Sequence, residues 1–196
     1  KIDSGKILLD GAEVQGLPPE KRPTGMVFQS YNLWPHMTIY ENMAFGLKLR
    51  KTPKAEIDKL VHEAARILDL EHLLDRKPKA LSGGQRQALT LLMSTLKRPK
   101  LLLLDEHTAA LDPKTARKVL ELTEEMVNEQ HLTALMVTHN MKDAIAHGNR
   151  LIMMMEGKII LDIQGEEKKK LTVKDLLDQF EQASGKEFSN DSALLG

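Results

Sequence analysis

Residues 81–85 read Leu-Ser-Gly-Gly-Gln, and this stretch decides most of what the sequence indicates about its fold. A serine followed three residues later by glutamine is a capping-box pattern, so a helix is predicted to begin after Ser82. The free N–H groups of a helix start favour anions, and adjacent glycines let the backbone approach a phosphate closely. A simple helix cap would explain Ser82 and Gln85 equally well. It would not explain Gly83 and Gly84, because glycine disfavours a helix by about 1 kcal/mol per residue.

The second informative motif is a run of four leucines, Leu101 to Leu104, that leads directly into Asp105 and Glu106. A short, unbroken apolar run predicts a parallel strand that is buried on both faces. Acids at the carboxyl end of such a strand lie where α/β folds bind their ligands. Two acids that merely end a strand at the surface are the alternative interpretation of this pair.

With these motifs the sequence resembles the ATP-binding subunits of ABC transporters over nearly its whole length. Five motifs occur in the order found in that family, which makes the resemblance specific. They are Gln29 as the Q-loop residue, Leu81 to Gln85 as the signature, Leu101 to Asp105 as Walker B with Glu106 in the place of the catalytic glutamate, Ala110-Leu111-Asp112 as the D-loop, and His139 as the H-loop residue.

The resemblance implies ATP and Mg²⁺ as the ligands of these residues. Asp105 and Gln29 would supply oxygen ligands to Mg²⁺, since a hard cation prefers oxygen. Glu106 would act as general base on the attacking water, and His139 would contact the γ-phosphate and orient that water. An ordinary loop glutamine and a structural histidine are the alternatives for Gln29 and His139.

The same resemblance implies partner proteins. The signature residues Ser82, Gly83, Gly84 and Gln85 would bind the nucleotide of a second ATPase subunit, in a homodimer or a pair of related subunits. Asp112 would act across that dimer, or it would only cap a helix. Transmembrane permease subunits would be the other partners, so the chain would be cytoplasmic and peripheral on the inner face of the cell membrane.

The implied fold is α/β, with a P-loop NTPase-like (RecA-like) parallel sheet core and an inserted α-helical subdomain. We predict core residues with the Q-loop at 1–41, the helical subdomain at 42–80, the rest of the ATPase core at 81–165, and a C-terminal helix and tail at 166–196. Predicted helices begin at Thr38, Pro53, Ser82, Asp112 and Thr172, and the last of them ends near Gly185. Predicted strands are 26–29, 101–104, a buried strand at 134–138, and a hairpin formed by 151–155 and 158–163.

The pattern Gly-x-x-x-x-Gly-Lys-[Ser/Thr], which marks a phosphate loop, does not occur within the 196 residues. We therefore expect the N-terminal strands and phosphate loop of the implied fold to be missing, and the resemblance places the strand before that loop beside the leucine strand. It follows that residues 1–196 alone should hydrolyse ATP poorly or not at all. Whether the chain is an enzyme by itself is left open at this point.

Two halves of the sequence resemble different relatives. Residues 1 to about 80 are similar to sugar-importer ATPases, and residues from about 88 onward are similar to another importer branch. The hypothesis is a chimera joined near the signature. The main alternative to an importer ATPase is therefore a non-enzymatic, truncated or engineered chimeric domain. An ABC-type ATPase of DNA repair is disfavoured, because the stretch between Gln29 and Leu81 is too short for the long coiled coils of that class.

Composition limits the classes of function that remain possible for this chain. Lys+Arg and Asp+Glu are equal at 28 each, and a net charge of zero argues against a large nucleic-acid footprint. Cysteine is absent, which excludes disulfides and thiolate metal sites. No apolar stretch approaches the roughly 18 residues that a membrane span needs. Contact with a membrane is therefore expected only through the permease.

Overall fold

The computed structural model describes residues 4–30, 32–96 and 98–184. The strands are Leu8–Leu9 (β1), Ala12–Glu13 (β2), Thr24–Val27 (β3), Leu101–Asp105 (β4), Thr133–Val137 (β5), Arg150–Met155 (β6) and Lys158–Gln164 (β7). The helices are Ile39–Leu49 (α1), Lys54–Ile67 (α2), Gly83–Thr95 (α3), Pro113–Glu129 (α4), Met141–Ala146 (α5), Gly165–Lys168 (α6) and Val173–Ser184 (α7). The chain divides into two compact units, Lys1–Met136 and Val137–Gly196.

The first unit contains a three-stranded sheet in the order β3-β4-β5. β3 and β4 are parallel, with Val27 opposite Leu104, so the predicted α/β class with a parallel sheet is confirmed. Leu102 and Leu104 are buried, whereas Leu101 and Leu103 are only half-buried, so β4 is less enclosed than its leucine run suggested. β4 has a neighbour on each side. The expectation that a further strand lies beside the leucine strand is therefore wrong, since neither of its edges is open.

The predicted burial of the 134–138 strand is also wrong. β5 forms where expected, but four of its five residues are exposed, and the side chains of Leu135 and Val137 are each 52% exposed. The apolar pattern correctly predicts a strand. It cannot say whether anything packs on that strand, and among the described residues little covers it.

Two helices, α1 and α2, pack together after the sheet's first strand. α1 begins with the predicted capping box: the Thr38 hydroxyl accepts from the Glu41 backbone N–H at 3.1 Å, and the Glu41 carboxylate accepts from the Thr38 N–H at 2.7 Å. The Tyr40 hydroxyl donates a hydrogen bond from α1 to the Asp58 carboxylate on α2. This bond raises the pKa of Tyr40 to about 12, because it favours the protonated phenol.

Replacing Tyr40 with phenylalanine should lower the free energy of unfolding by about 1 kcal/mol at pH 7, because the bond to Asp58 is lost. The pKa of Tyr40 is raised in the folded protein, so the contribution is complete below pH 10 and is lost as the pH rises towards 12. Urea unfolding of both proteins between pH 7 and pH 11 measures this difference. Asp58→Asn is the matched control, because it removes the carboxylate that does most to raise the pKa of Tyr40. A difference that grew with pH would contradict the assignment.

α3 packs against β3 and against α4, and both helices begin as predicted. The Ser82 hydroxyl accepts from the Gln85 N–H at 3.2 Å, and the Gln85 side chain accepts from the Ser82 N–H at 2.9 Å, which completes the capping box. α3 lies very close to β3: a Cβ added to Gly25 would stand 2.4 Å from the backbone oxygen of Ser94. Only glycine therefore fits at this point of the sheet.

The second unit contains the predicted hairpin. β6 and β7 are antiparallel and turn at Glu156 and Gly157, whose φ values of 48° and 76° suit a tight turn of the type that two-residue hairpins prefer. The Lys168 ammonium is buried and donates to the carbonyl of His147 at 3.0 Å, and also to that of Ile145. It thereby satisfies carbonyl groups at the end of α5.

α7 begins one residue after Thr172, which pairs with Asp175 as predicted. The predicted end of this helix at Gly185 and the tail that follows lie outside the described residues. Within the part of the chain that the structure describes, no helix is both long enough and apolar enough to cross a membrane.

Candidate functional site

The parallel pairing of β3 and β4 brings two of the predicted motifs to one edge of the sheet. Val27 lies opposite Leu104, and Gln29 and Glu106 each lie two residues beyond this pair, so they stand at the same carboxyl edge. Asp105 is the last residue of β4. Both acids are half-buried, whereas Gln29 is exposed. The arrangement concentrates oxygen donors where open parallel sheets bind ligands.

Glu106 adopts an unusual backbone conformation at the end of β4. Its φ of 44° lies in the left-handed region, which a residue with a side chain rarely occupies. A tight turn follows, in which the Ala109 N–H donates to the Glu106 carbonyl at 3.0 Å. Strained residues of this kind persist where the surrounding structure holds them, and they concentrate at functional sites.

The residue after Glu106 provides part of that support. His107 is 2% exposed, and its Nε2 lies 3.2 Å from the Thr123 hydroxyl on α4. The Thr123 proton is donated to the Val119 carbonyl at 2.7 Å. The histidine Nε2 must therefore carry the proton and donate to Thr123. This bond attaches the turn after β4 to α4.

The signature residues form the first turn of α3, and the structure explains one of the two glycines. A Cβ added to Gly84 would stand 2.3 Å from the Thr115 methyl carbon on α4. The close approach of two helices is therefore a sufficient reason for glycine at this position, independent of any phosphate. Sequence reasoning missed this contact because it joins segments that are distant in the sequence.

Asp112 caps α4. The hydroxyl and the backbone N–H of Thr115 both donate to the Asp112 carboxylate, the N–H at 3.1 Å, and these bonds hold the pKa of Asp112 below its usual range. The predicted helix cap is therefore present. The role of Asp112 across a dimer stays a prediction.

His139 lies in the second unit, in the turn between β5 and α5, and its side chain is exposed. Its neighbours fix that turn. The Thr138 hydroxyl accepts from the Asn140 N–H at 3.0 Å, and the Asn140 side chain caps α5 by accepting from the Lys142 N–H at 2.9 Å. The convergence of His139 with Glu106 stays a prediction, since the two residues belong to different units.

Asp105 and Gln29 fit the implied Mg²⁺. This ion keeps several waters and binds through one or two carboxylates together with substrate phosphates, so a large protein cage is not required. A carboxylate and an amide oxygen at one sheet edge meet that requirement. Within residues 4–30, 32–96 and 98–184, no cluster of three or more His, Asp or Glu side chains suits a metal ion by itself.

A cavity of about 400 Å³ lies elsewhere in the first unit, lined by parts of β3, α1 and α3. Trp34 stands at its rim and meets Phe45 edge to face, with ring centroids 5.5 Å apart. Asn42, which is fully buried, accepts from the Trp34 N–H at 2.7 Å and donates to the Trp34 carbonyl at 3.1 Å. None of the predicted site residues lines this cavity.

Comparison with known proteins agrees with the motifs. A protein-family sequence model with the description ABC transporter matches residues 1–109 of this chain. A tyrosine transport ATP-binding protein of Clostridioides difficile is 46% identical over 194 residues, which cover 93% of this chain and 77% of that protein. A spermidine/putrescine import ATP-binding protein of Aggregatibacter actinomycetemcomitans is 44% identical over 162 residues, which cover 83% of this chain and 44% of that protein.

A molybdate/tungstate import ATP-binding protein of Pyrococcus horikoshii is 43% identical over 158 residues, which cover 81% of this chain and 46% of that protein. The chain thus spans less than half the length of the last two relatives and about three quarters of the first. It belongs to the ABC transporter family, as an ATP-binding domain.

Proposed function

We propose that this chain is part of the ATP-hydrolysing subunit of an ABC importer, which drives solute uptake across a membrane. The observation that carries the proposal is the β3–β4 register, which brings Gln29 to the same sheet edge as Asp105 and Glu106. Relatives named for the transport of tyrosine, polyamines and molybdate support the importer class. Their diversity assigns no particular solute to this chain.

The chemistry of the proposed site is phosphoryl transfer to water. Glu106 accepts a proton from the attacking water, and His139 donates a hydrogen bond to the γ-phosphate. Asp105 and Gln29 would hold Mg²⁺, and the bound ion would supply positive charge against the phosphates. Such a reaction depends mainly on positioning and electrostatic stabilisation, and the strained backbone of Glu106 is consistent with a residue held in place for that purpose.

The signature residues of one subunit would face the nucleotide of another. Ser82 and Gly83 begin α3, whose first N–H groups suit a phosphate. We therefore propose a homodimer or a pair of ATPase subunits, with Asp112 at the junction. Gly84 has a packing role within its own subunit as well, because its missing Cβ makes room for Thr115.

Permease subunits are the proposed membrane partners. The cavity is lined by the aromatic side chains of Trp34 and Phe45 and lies close to the segment that contains Gln29, and such a concave surface suits an inserted side chain or helix. The proposed location is the inner face of the cell membrane, through this contact alone.

We further propose that a polypeptide of residues 1–196 is impaired in ATP hydrolysis, because no phosphate-loop motif occurs among them. That polypeptide should show no turnover of Mg-ATP above the Glu106→Gln control. A longer form that includes a phosphate loop should hydrolyse ATP in a Glu106-dependent manner. Turnover by residues 1–196 that the control abolishes would contradict the impairment, and an inert longer form would contradict the ATPase assignment.

The alternative is a non-enzymatic, chimeric domain joined near the signature. This alternative rests on the hypothesis that residues 1 to about 80 and residues from about 88 onward derive from different importer branches. Titration of the longer form with Mg-ATP separates the two proposals, since a non-enzymatic domain should not bind the nucleotide tightly. Separate alignment of residues 1–80 and 88–196 against the same set of relatives tests the junction, and one parent that matched both halves equally well would exclude it.

A further inference from the structure

A buried glutamine on the signature helix contacts the backbone just before Gln29. Gln87 is fully buried on α3, and its Nε2 donates to the Phe28 carbonyl at 3.2 Å, across 59 positions of sequence. Phe28 connects the end of β3 to Gln29. The hydrogen bond therefore joins the helix that carries the signature to the backbone that positions the proposed Mg²⁺ ligand.

The chemistry of this contact fixes the orientation of the side chain. A backbone carbonyl can only accept, so the carboxamide must present its NH₂ group to Phe28. Its Oε1 then lies buried without a hydrogen-bond partner in the described part of the chain. A buried polar atom without a partner costs stability, so an apolar side chain of the same size would serve the core of α3 better.

We propose that Gln87 is a positioning residue, which holds the Phe28 carbonyl and thereby keeps the Gln29 side chain in register with α3. The part of this proposal that concerns Mg²⁺ rests on the proposed function of Gln29. The hydrogen bond from Gln87 to Phe28 is independent of that function. Outer partners of a metal ligand commonly change metal affinity or activity by 10- to 100-fold when they are removed.

Gln87→Met keeps the length of the side chain and removes the donor. Hydrogen exchange measured by NMR in the polypeptide of residues 1–196 should become about tenfold faster at the Gln29 and Ser30 amides, since one anchoring hydrogen bond is lost. The melting temperature should not fall. A residue that served only the stability of the core would give the opposite pair of results.

Thr95→Val is the matched control, because Thr95 is a buried polar residue of the same helix whose hydroxyl bonds only to carbonyls within α3. It should leave exchange at Gln29 unchanged. Exchange at Gln29 and Ser30 that stayed within twofold in Gln87→Met would overturn the proposal.

A second measurement needs no substitution. In the unmodified protein, a side-chain amide proton of Gln87 should exchange with solvent at least about tenfold more slowly than those of the exposed Gln182. Equal rates would overturn the proposal even if Gln87→Met failed to fold.

The longer form with a phosphate loop tests the link to Mg²⁺. There, Gln87→Met should raise the Mg²⁺ concentration for half-maximal turnover by about tenfold. Faster exchange at Gln29 with an unchanged Mg²⁺ requirement would support Gln87 as the anchor of this backbone, and it would contradict the assignment of Gln29 as a metal ligand. The two failures are therefore distinguishable.

Discussion

Replacing Glu106 with glutamine should lower ATP turnover by at least about 100-fold in the form of the protein that carries a phosphate loop, while ATP binding changes little. A general base contributes typically 10²- to 10⁴-fold, and an amide cannot accept the proton of the attacking water. Glutamine has the same length as glutamate, so the left-handed backbone at this position gains no additional strain. Steady-state phosphate release and equilibrium nucleotide binding measure the two quantities.

Glu121→Gln is the matched control, because it makes the same chemical change at an exposed position of α4. It should leave turnover within about twofold, as surface substitutions usually do. A loss of less than about fivefold in Glu106→Gln would contradict the assignment of Glu106 as general base. An equal loss of nucleotide binding would instead indicate that Glu106 supports the site structurally.

The second large effect concerns the contact between the signature helix and α4. Gly84→Ala should lower the free energy of unfolding by about 2 kcal/mol, since its new Cβ would stand 2.3 Å from the Thr115 methyl carbon. Relief of this steric clash requires either that α3 and α4 move apart or that the Thr115 side chain rotates and releases the Asp112 carboxylate. Alanine's better helix propensity offsets only part of this cost. Thermal or urea unfolding measures the change.

Thr115→Ser tests the cause of that destabilisation. Serine keeps the hydroxyl that donates to Asp112 and removes only the methyl group. In this background Gly84→Ala should cost less than about 0.5 kcal/mol, which corresponds to a strong coupling between the two sites. Gly46→Ala, on α1, is the glycine control: its Cβ would meet nothing within 4 Å, so it should be neutral or stabilising. A cost of Gly84→Ala that Thr115→Ser left unchanged would contradict the steric explanation.

The features that the sequence predicted correctly are those that depend on neighbouring residues. The capping boxes at Thr38 and Ser82 each require two side chains three residues apart, so their pattern is visible locally. Asp112 followed by proline marks the start of α4 for the same reason. The shared carboxyl edge of Gln29, Asp105 and Glu106 follows from the parallel pairing of β3 and β4, and the roles of these residues towards ATP and Mg²⁺ stay predictions.

The features that it missed join distant segments. The contact between Gly84 and Thr115, the bond from Gln87 to Phe28 and the bond from His107 to Thr123 have no local pattern. The exposure of β5 escaped prediction for a related reason, since an apolar strand has the same sequence whether or not another layer covers it.

Trp34 is the only tryptophan of the chain, and it stands at the rim of the cavity beside Phe45. Light absorbed at the red edge of the protein spectrum is therefore emitted by one indole in one known environment. Occupation of that cavity changes the polarity around the ring and so shifts the emission maximum. The protein thus carries its own optical probe at the surface proposed for the permease, and a titration there requires no attached label.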